Sequence, residues 1–485
     1  MVEGRYQYFC KNFKVMKHTF FLFLCLCCTI VYGQDKIAHL ANMEDILADT
    51  SIIRYSSPNV VVMYTSNGIY NNYFHIINTE TNMRWSFPVE EIVKDVEILD
   101  DTVYYCGDEG YPEVGIFAIS DVYTGNVHIK NFWVSTTRAI PKRLEVFRAS
   151  GGVHVVIVGD WLTATPTNSF IADVWSEYST SLNTWSLAAL RTVGKELYDD
   201  IAVTDNYVVA SANLYGTKDI VLKVLPRPTY TSFTYNYITN NNLFYSDYPS
   251  TGLSSGNFYF YNGDYYRASG YGKYPIRITH TTGDSIALAC MADKNSTQYG
   301  VTVKDIEIIA GVPIVQRNMF SSWGTVLKYF WEMRDIRYNP VRDSVLLLVD
   351  REWPFGSSNI RSEIIRADYS TLSPFTMTAP IIEVEKLHSM DWFVAELNNA
   401  GSTIKKFGAV SSGSHKDWPN TYPLFWSNTL LTGNCESSVN MAVDRGKASF
   451  NMDVLPGDIY FQRVLTLIIR QAVVTVDEID IICNN

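Results

Sequence analysis

The sequence is poor in charge and lacks the motifs of several common enzyme classes. Charged residues make up 18% of its 485 residues. It contains no HExxH, no GxxxxGK[ST] and no EF-hand spacing of acids, the arrangements that position a zinc ion, a phosphate and a calcium ion. No two histidines lie within twenty positions of each other. We therefore predict no metal site and no cofactor, and favour a protein that is not an enzyme.

Basic residues are also scarce, since 39 Lys and Arg stand against 50 Asp and Glu. The formal net charge is −11. A surface of this sign repels the phosphates of nucleic acids. We predict no nucleic-acid partner.

Long apolar runs are absent except near the N-terminus. The run from Phe20 to Val31 follows basic residues and is followed by Gly33, which is typical of a signal peptide cut before Gln34. We assign residues 1–33 to this signal, with a misassigned start codon as the source of the first residues. The mature chain has no predicted transmembrane segment. We expect an exported protein that is periplasmic, at the cell surface or extracellular; a lipoprotein anchored at Cys25 or a neighbouring cysteine ranks second.

Helical periodicity is nearly absent from the rest of the chain, and the best helix candidate is Ile37 to Leu47. Apolar runs of four to eight residues, rich in Val, Ile, Tyr and Phe, alternate with Gly, Asn, Asp, Ser and Pro. This pattern predicts short strands joined by turns, and therefore an all-β fold.

A loose repeat of such strands organises the chain. Its clearest copies are Val93–Gly125, Leu197–Leu225 and Met333–Thr371. Seven units over residues 45–430 predict a β-propeller, with six blades as the alternative count and tandem β-sandwiches as the alternative fold. Several units end in a segment with tryptophan, which we interpret as a fourth strand whose indole packs against the neighbouring sheet. These tryptophans are Trp85, Trp133 and Trp185.

The predicted domain organisation therefore has three parts. Residues 1–33 are removed, residues 34–430 form the propeller, and residues 431–485 supply closing strands or a cap. Closure is the stronger physical need, because an open propeller leaves two sheet faces bare.

The whole mature chain resembles the uncharacterised exported β-propeller proteins of gut anaerobic bacteria. The features that carry the resemblance are the signal peptide, a unit of the form VYYCG…GIFAISD, and a tail that ends IDIICNN. The resemblance implies a propeller fold and no particular activity.

Four cysteines follow the predicted cleavage point. Cys435 and Cys483 lie close together in sequence and are candidates for a disulfide, which export would permit. Cys106 and Cys290 lie inside strand-like runs, where buried free thiols are expected.

Residues 228–274 form the most unusual stretch, with fifteen Tyr or Phe side chains and almost no charge. Part of it, around Tyr237, alternates like a strand, which favours a structural role. The functional interpretation is a rim insert that stacks on sugar rings, because tyrosine offers a rigid face and one polar group. Its candidate ligand-binding residues are Tyr259, Tyr261, Asp264, Tyr265 and Tyr266.

These features predict an exported, non-enzymatic binding or scaffold protein whose partner is a glycan or an envelope protein. The alternative is a polysaccharide-acting enzyme with its site at the mouth of the propeller channel. Converging acids or histidines at the centre would favour the enzyme, and exposed tyrosines would favour binding. The oligomeric state does not follow from the sequence.

Overall fold

The protein is all-β, and a computed structural model defines its strands and their pairing. The structure describes residues 36–39, 50–57, 59–66, 71–108, 111–134, 139–149, 152–161, 168–177, 185–191, 196–214, 220–227, 236–240, 258–261, 264–267, 276–294, 298–322, 331–340, 343–352, 360–368, 376–378, 386–399, 402–414, 423–427, 436–438, 441–444, 451–452, 459–465, 467–478 and 480–484. The predicted signal peptide, residues 1–33, lies outside these ranges.

Seven antiparallel sheets of five strands, numbered here by the chain order of their first strands, account for nearly all of the described residues. One strand, β1 (Lys36–His39), precedes them. Sheet 1 begins with β2 (Thr50–Ser57), β3 (Val60–Ser66), β4 (Asn72–Asn78) and β5 (Met83–Val89). Sheet 2 begins with β6 (Ile92–Leu99), β7 (Thr102–Asp108), β8 (Pro112–Ala118) and, after the short helix α1 (Ile119–Thr124), β9 (Val127–Trp133).

The next two sheets have the same order of strands. Sheet 3 begins with β10 (Ala139–Ala149), β11 (Gly152–Trp161), β12 (Asn168–Glu177) and β13 (Trp185–Arg191). Sheet 4 begins with β14 (Glu196–Val203), β15 (Tyr207–Leu214), β16 (Ile220–Pro226) and β17 (Asn236–Asn240). A separate hairpin follows, formed by β18 (Phe258–Tyr261) and β19 (Asp264–Arg267).

Three further sheets complete the set. Sheet 5 begins with β20 (Arg277–His280), β21 (Ser285–Lys294), β22 (Gln298–Ile309) and β23 (Val312–Ser322). Sheet 6 begins with β24 (Trp331–Asn339), β25 (Ser344–Glu352), β26 (Ile360–Asp368) and β27 (Thr376–Thr378). Sheet 7 begins with β28 (Lys386–Asn399), β29 (Ser402–Ser414) and β30 (Pro423–Ser427), and takes β1 as its fourth strand.

The C-terminal strands, here called the belt, supply the fifth strand of every sheet. They are β31 (Glu436–Ser438), β32 (Met441–Asp444), β33 (Asn451–Met452), β34 (Ile459–Leu465), β35 (Leu467–Ala472), β36 (Thr475–Glu478) and β37 (Asp480–Asn484). They join sheets 6, 5, 4, 3, 2 and 1, which reverses the chain order of these six sheets, and the last of them, β37, joins sheet 7. The sequence predicts closing strands or a cap for residues 431–485, and the described strands of this region are distributed over all seven sheets.

Contacts between sheets run through their first strands. β2 contacts β6, β6 contacts β10, and the series continues through β14, β20, β24 and β28, which contacts β2 again. Among the described residues, four apolar clusters fill the interfaces between sheets 1 and 2, sheets 2 and 3, sheets 3 and 4, and sheets 4 and 5. Because each sheet between these clusters buries both faces, its strands consist of nearly continuous apolar residues, such as the VYYC of β7.

Helix is confined to α1 among the described residues. It ends at Gly125, whose φ of 78° favours glycine because it has no Cβ. The sequence predicted a helix over Ile37 to Leu47. Within the described residues this prediction is wrong, because Lys36–His39 is a strand between β30 and β37. Neighbouring strands supplied the hydrogen bonds that decided its conformation. In the part of the chain that the structure describes, no helix has the length and apolar character needed to cross a membrane.

Candidate functional site

The predicted ligand-binding residues lie on the β18–β19 hairpin. Tyr259 is the register partner of Tyr266, Tyr261 that of Asp264, and Phe260 that of Tyr265. In the described residues this hairpin pairs with no other strand. The neighbouring part of the aromatic stretch around Tyr237 is β17, which pairs with β16 of sheet 4. The binding role of the hairpin residues stays a prediction.

The first strands of all seven sheets bring charged side chains to one central cluster. Arg54 of sheet 1 binds Asp95 and Glu97 of sheet 2, with N–O distances of 2.9 and 3.0 Å. Arg337 of sheet 6 also reaches Glu97, at 3.3 Å. It lies 3.8 Å from Asp391 of sheet 7.

Sheets 3, 4 and 5 join the same cluster. Arg143 of sheet 3 lies between Asp95 and Asp200 of sheet 4, at 3.3 and 3.8 Å. Its Nη2 donates to the backbone oxygen of Arg334 over 3.0 Å, and Arg277 Nε of sheet 5 donates to the same oxygen over 2.9 Å. One carbonyl of sheet 6 therefore accepts from two other sheets.

β-Bulges in the first strands determine the direction of these side chains. The ladder register shifts directly before Asp95, Arg143, Asp200 and Asp335. A bulge inserts one unpaired residue and redirects the next side chain. The four bulges recur at equivalent places in their sheets, so they set the position of the central charges.

Three of the central carboxylates also accept a hydrogen bond from a backbone N–H of the neighbouring sheet. Asp95 accepts from the N–H of Leu144 over 3.1 Å, and Asp200 accepts from the N–H of Ile278 over 2.9 Å. Asp391 accepts from the N–H of Tyr55 over 2.7 Å. Each acceptor lies on the first strand of one sheet and each donor on the first strand of the next. These carboxylates consequently hold the sheets in register.

The environment divides the central acids into two groups. Burial raises the pKa of Asp335, but the guanidinium groups of Arg337, Arg54, Arg143 and Arg277 outweigh it and leave that pKa below its usual value. Burial raises the pKa of Asp200 to about 6. Burial, followed by the nearby Glu97 carboxylate, raises the pKa of Glu145 well above its usual value.

The ion pairs and hydrogen bonds of this centre join the first strands of neighbouring sheets. A narrow pocket at its middle is lined by Arg54, Glu97, Arg143, Glu145, Asp200 and Arg337. Acids do converge there, as the enzyme hypothesis requires, but Asp95, Glu97 and Asp200 already bind guanidinium or backbone N–H groups. A general acid or base needs a carboxyl group that can reach a substrate proton.

The histidines do not assemble a site in the described residues. His75 is buried in sheet 1 between the hydroxyls of Thr65 and Ser86, at 2.9 and 2.8 Å. Burial, with a smaller effect of Arg84, lowers the pKa of His75 to about 3. His154 is buried in sheet 3 at 3.3 Å from Asp173. Within the described residues, no group of three or more His, Cys, Asp or Glu side chains is arranged to hold a metal ion.

The sequence predictions for the four cysteines have different outcomes. Cys106 and Cys290 are free and buried, which confirms the expectation for them. Cys435 lies outside the described residues, and Cys483 lies on β37. The predicted disulfide between these two cysteines stays a prediction.

The three tryptophans assigned to fourth strands are on β5, β9 and β13. Trp85 contacts Tyr123 of sheet 2 edge-on, with centroids 4.7 Å apart, and Trp185 contacts Phe132 of sheet 2 at 4.8 Å. Packing against a neighbouring sheet is confirmed for these two, for Trp85 on the side of the following sheet and for Trp185 on the preceding one. Trp133 differs, because its ring stacks on Tyr111 of its own sheet and is 40% exposed.

Comparisons with known proteins assign no family to this chain. No family model matches the chain, and no curated protein does. Among solved structures, the computationally designed Ika8 protein is 9% identical with a TM-score of 0.35, over 81% of this chain and all of that chain. A prolyl oligopeptidase B from Galerina marginata is 9% identical with a TM-score of 0.28, over 74% of this chain and 55% of its own length. Scores this low carry no argument about fold or activity.

Proposed function

We propose that the chain is a seven-bladed β-propeller that acts as an exported, non-enzymatic binding or scaffold protein. The observation that carries the fold is the closed series of contacts between first strands, from β2 through β28 and back to β2. Stacking four-stranded sheets around an axis buries both faces of each sheet. In this proposal β1 closes the ring as the fourth strand of the last blade, and the belt surrounds it.

The central cluster supports binding in preference to catalysis. Every blade contributes a charged group or a hydrogen bond to it, and Asp95, Asp200 and Asp391 serve as acceptors between blades. A hydrolase acting on polysaccharide needs two carboxyl groups on opposite sides of a glycosidic bond. Asp95, Glu97 and Asp200 of the described centre bind arginines or the backbone instead.

The ligand in this proposal is a glycan, bound at the aromatic hairpin that carries Tyr259, Tyr261, Asp264, Tyr265 and Tyr266. Two features support this placement. The hairpin is additional to the four-strand unit, and insertions into repeats commonly emerge on a binding face. Tyrosines present rigid rings to a sugar at a low cost in conformational entropy.

A glycan array tests the proposal directly. The chain from Gln34 is compared with a variant in which Tyr259, Tyr261 and Tyr265 are changed to Ala, and with the control Tyr123→Ala, which alters a tyrosine of α1. We expect binding by the parent chain and the control and its loss in the triple variant. Silence across the array would contradict glycan binding, and release of reducing sugar from a bound polysaccharide would establish the enzyme alternative.

A further inference from the structure

Tyr111 and Trp133 form an exposed aromatic pair on sheet 2. Their ring centroids are 5.6 Å apart and their planes differ by 27°. The side chains are 41% and 40% exposed. Eight large apolar side chains are exposed among the described residues, and these two are the ones that stack on each other. Exposed apolar side chains that adjoin one another, unlike those scattered singly, are the kind of surface that interaction sites use.

The backbone fixes the pair before any ligand arrives. Trp133 is the register partner of Glu113 at the end of the β8–β9 ladder. The N–H of Val134 then donates to the oxygen of Pro112 over 2.8 Å, which ties together the residues next to the two rings. Val134 is buried in the core between sheets 2 and 3. Rings held in this way lose little conformational freedom on binding.

A buried polar cluster lies on the same face of the sheet. Glu113 is opposite Trp133 in the ladder, and Asn131 precedes Trp133 by two residues, which places all three on one face. The Asn131 amide donates to Glu113 over 3.1 Å and also to Glu91. Arg470 of the belt donates to Glu91 over 3.3 Å.

Sheet topology places the pair at the same end of its sheet as the aromatic insert. Tyr111 lies between β7 and β8, and Trp133 ends β9, so both are at the end of sheet 2 where β6 begins. The insert follows β17, which likewise ends where the first strand of sheet 4, β14, begins. Tyr123, on the helix between β8 and β9, is at the opposite end.

We propose that Tyr111 and Trp133 form a second glycan-binding subsite, in which a pyranose ring stacks on the exposed aromatic faces. This inference rests on the proposed glycan-binding function and adds a place that the sequence did not indicate. Aromatic faces carry a negative quadrupole that attracts the polarised C–H groups of a sugar. The full sequence has a net charge of −11, which repels an anionic polysaccharide, and the proposed ligand is therefore a neutral one.

Affinity electrophoresis and calorimetry with soluble β-glucan, xylan and galactomannan test the subsite. The proteins are the full chain from Gln34, Trp133→Ala, Tyr111→Ala, the double variant, and Tyr123→Ala. Tyr123 is a matched control because it is 39% exposed and also contacts a tryptophan. We expect at least tenfold weaker binding in the double variant, partial rescue by Trp133→Phe, and unchanged binding in the control.

The possible failures are distinguishable. Unchanged affinity in the double variant, while the parent chain binds, would overturn the subsite and leave the proposed function standing. Equal weakening in Tyr123→Ala would also overturn it, because the effect would not depend on this end of the sheet. A parent chain that binds none of the three polysaccharides would overturn the proposed glycan function and the subsite with it. Thermal unfolding of each variant identifies any that fail to fold.

Discussion

The carboxylate of Asp95 on β6 accepts a hydrogen bond from the backbone N–H of Leu144 on β10, across 3.1 Å. The other contacts of Asp95 are ionic, to Arg54 at 2.9 Å and Arg143 at 3.3 Å. One side chain on sheet 2 therefore binds sheets 1 and 3 at once. It is 2% exposed, so water cannot replace these partners.

Changing Asp95 to Asn should destabilise the fold strongly. The amide keeps the shape of the side chain but removes the charge opposite two buried guanidinium groups. Removing one member of a buried ion pair costs about 3–5 kcal/mol, and we expect a loss of this size in the free energy of unfolding by urea. Asp100→Asn is the control, since the Asp100–Arg148 pair is exposed and such pairs contribute at most about 1 kcal/mol. Equal effects in the two variants would contradict a locking role for Asp95.

Stability should depend on pH through Asp200. Its folded pKa of about 6 exceeds the ordinary value of 3.8 because the side chain is buried. The folded chain therefore binds a proton that the unfolded chain has released, and this contribution is complete below pH 3.8 and lost as pH rises through 6. We expect the stability of the parent chain relative to Asp200→Asn to fall by about 2 kcal/mol between pH 4 and pH 7, because the unfolded carboxyl is already partly ionised at pH 4.

Asp335 supplies the control for this titration. Its folded pKa is lowered by four arginines that outweigh burial, so its contribution is present above the ordinary pKa and is lost only at lower pH. The stability of the parent chain relative to Asp335→Asn should therefore stay constant from pH 4 to pH 7. Matching slopes for the two aspartates would show that the pH dependence arises elsewhere.

The strand content could be predicted from sequence because it depends on local pattern. Runs such as Val345–Val349 in β25 are apolar over a strand's length, with a β-branched valine at each end, and they are buried on both faces. The belt could not be predicted this way. Asp477 of the belt binds Arg84, which lies 393 positions earlier in the chain. The strands of the belt are short, and their sequences do not indicate which strands they pair with.

The central cluster did leave a trace in the sequence. Adjacent charged residues interrupt otherwise apolar strands as Lys94–Asp95, Lys142–Arg143, Asp199–Asp200 and Arg334–Asp335. Adjacent aspartates favour turns in general, but Asp199 and Asp200 both lie within β14. A consecutive charged pair inside an apolar strand is the expected mark of a bulge, since one residue stays outside the ladder while the next is redirected.

The belt should be held at sheet 1 by an ion pair. Asp477 on β36 lies 2.9 Å from Arg84, whose side chain is 4% exposed. Asp477→Ala removes a charged partner from a buried guanidinium, at an expected cost of about 1–2 kcal/mol. Hydrogen exchange should become faster in β36. Glu478→Ala changes the exposed neighbour and should leave hydrogen exchange in β36 unchanged. Equal exchange rates in the two variants would mean that backbone pairing alone holds the belt at sheet 1.

The buried thiols should be unreactive in the folded protein. Cys106 and Cys290 are 0% and 3% exposed, and burial raises the pKa of both thiols well above the usual value. Alkylation proceeds through the thiolate, so iodoacetamide should modify neither residue until the chain is unfolded. Peptide mass spectrometry of the native and unfolded protein measures this at each site. The same digests test the predicted disulfide, which should give a Cys435–Cys483 cross-linked peptide that disappears on reduction. Labelling of Cys106 in the native state would contradict the packing of β7 against sheet 3, since a thiol that reagent can reach must lie outside that core.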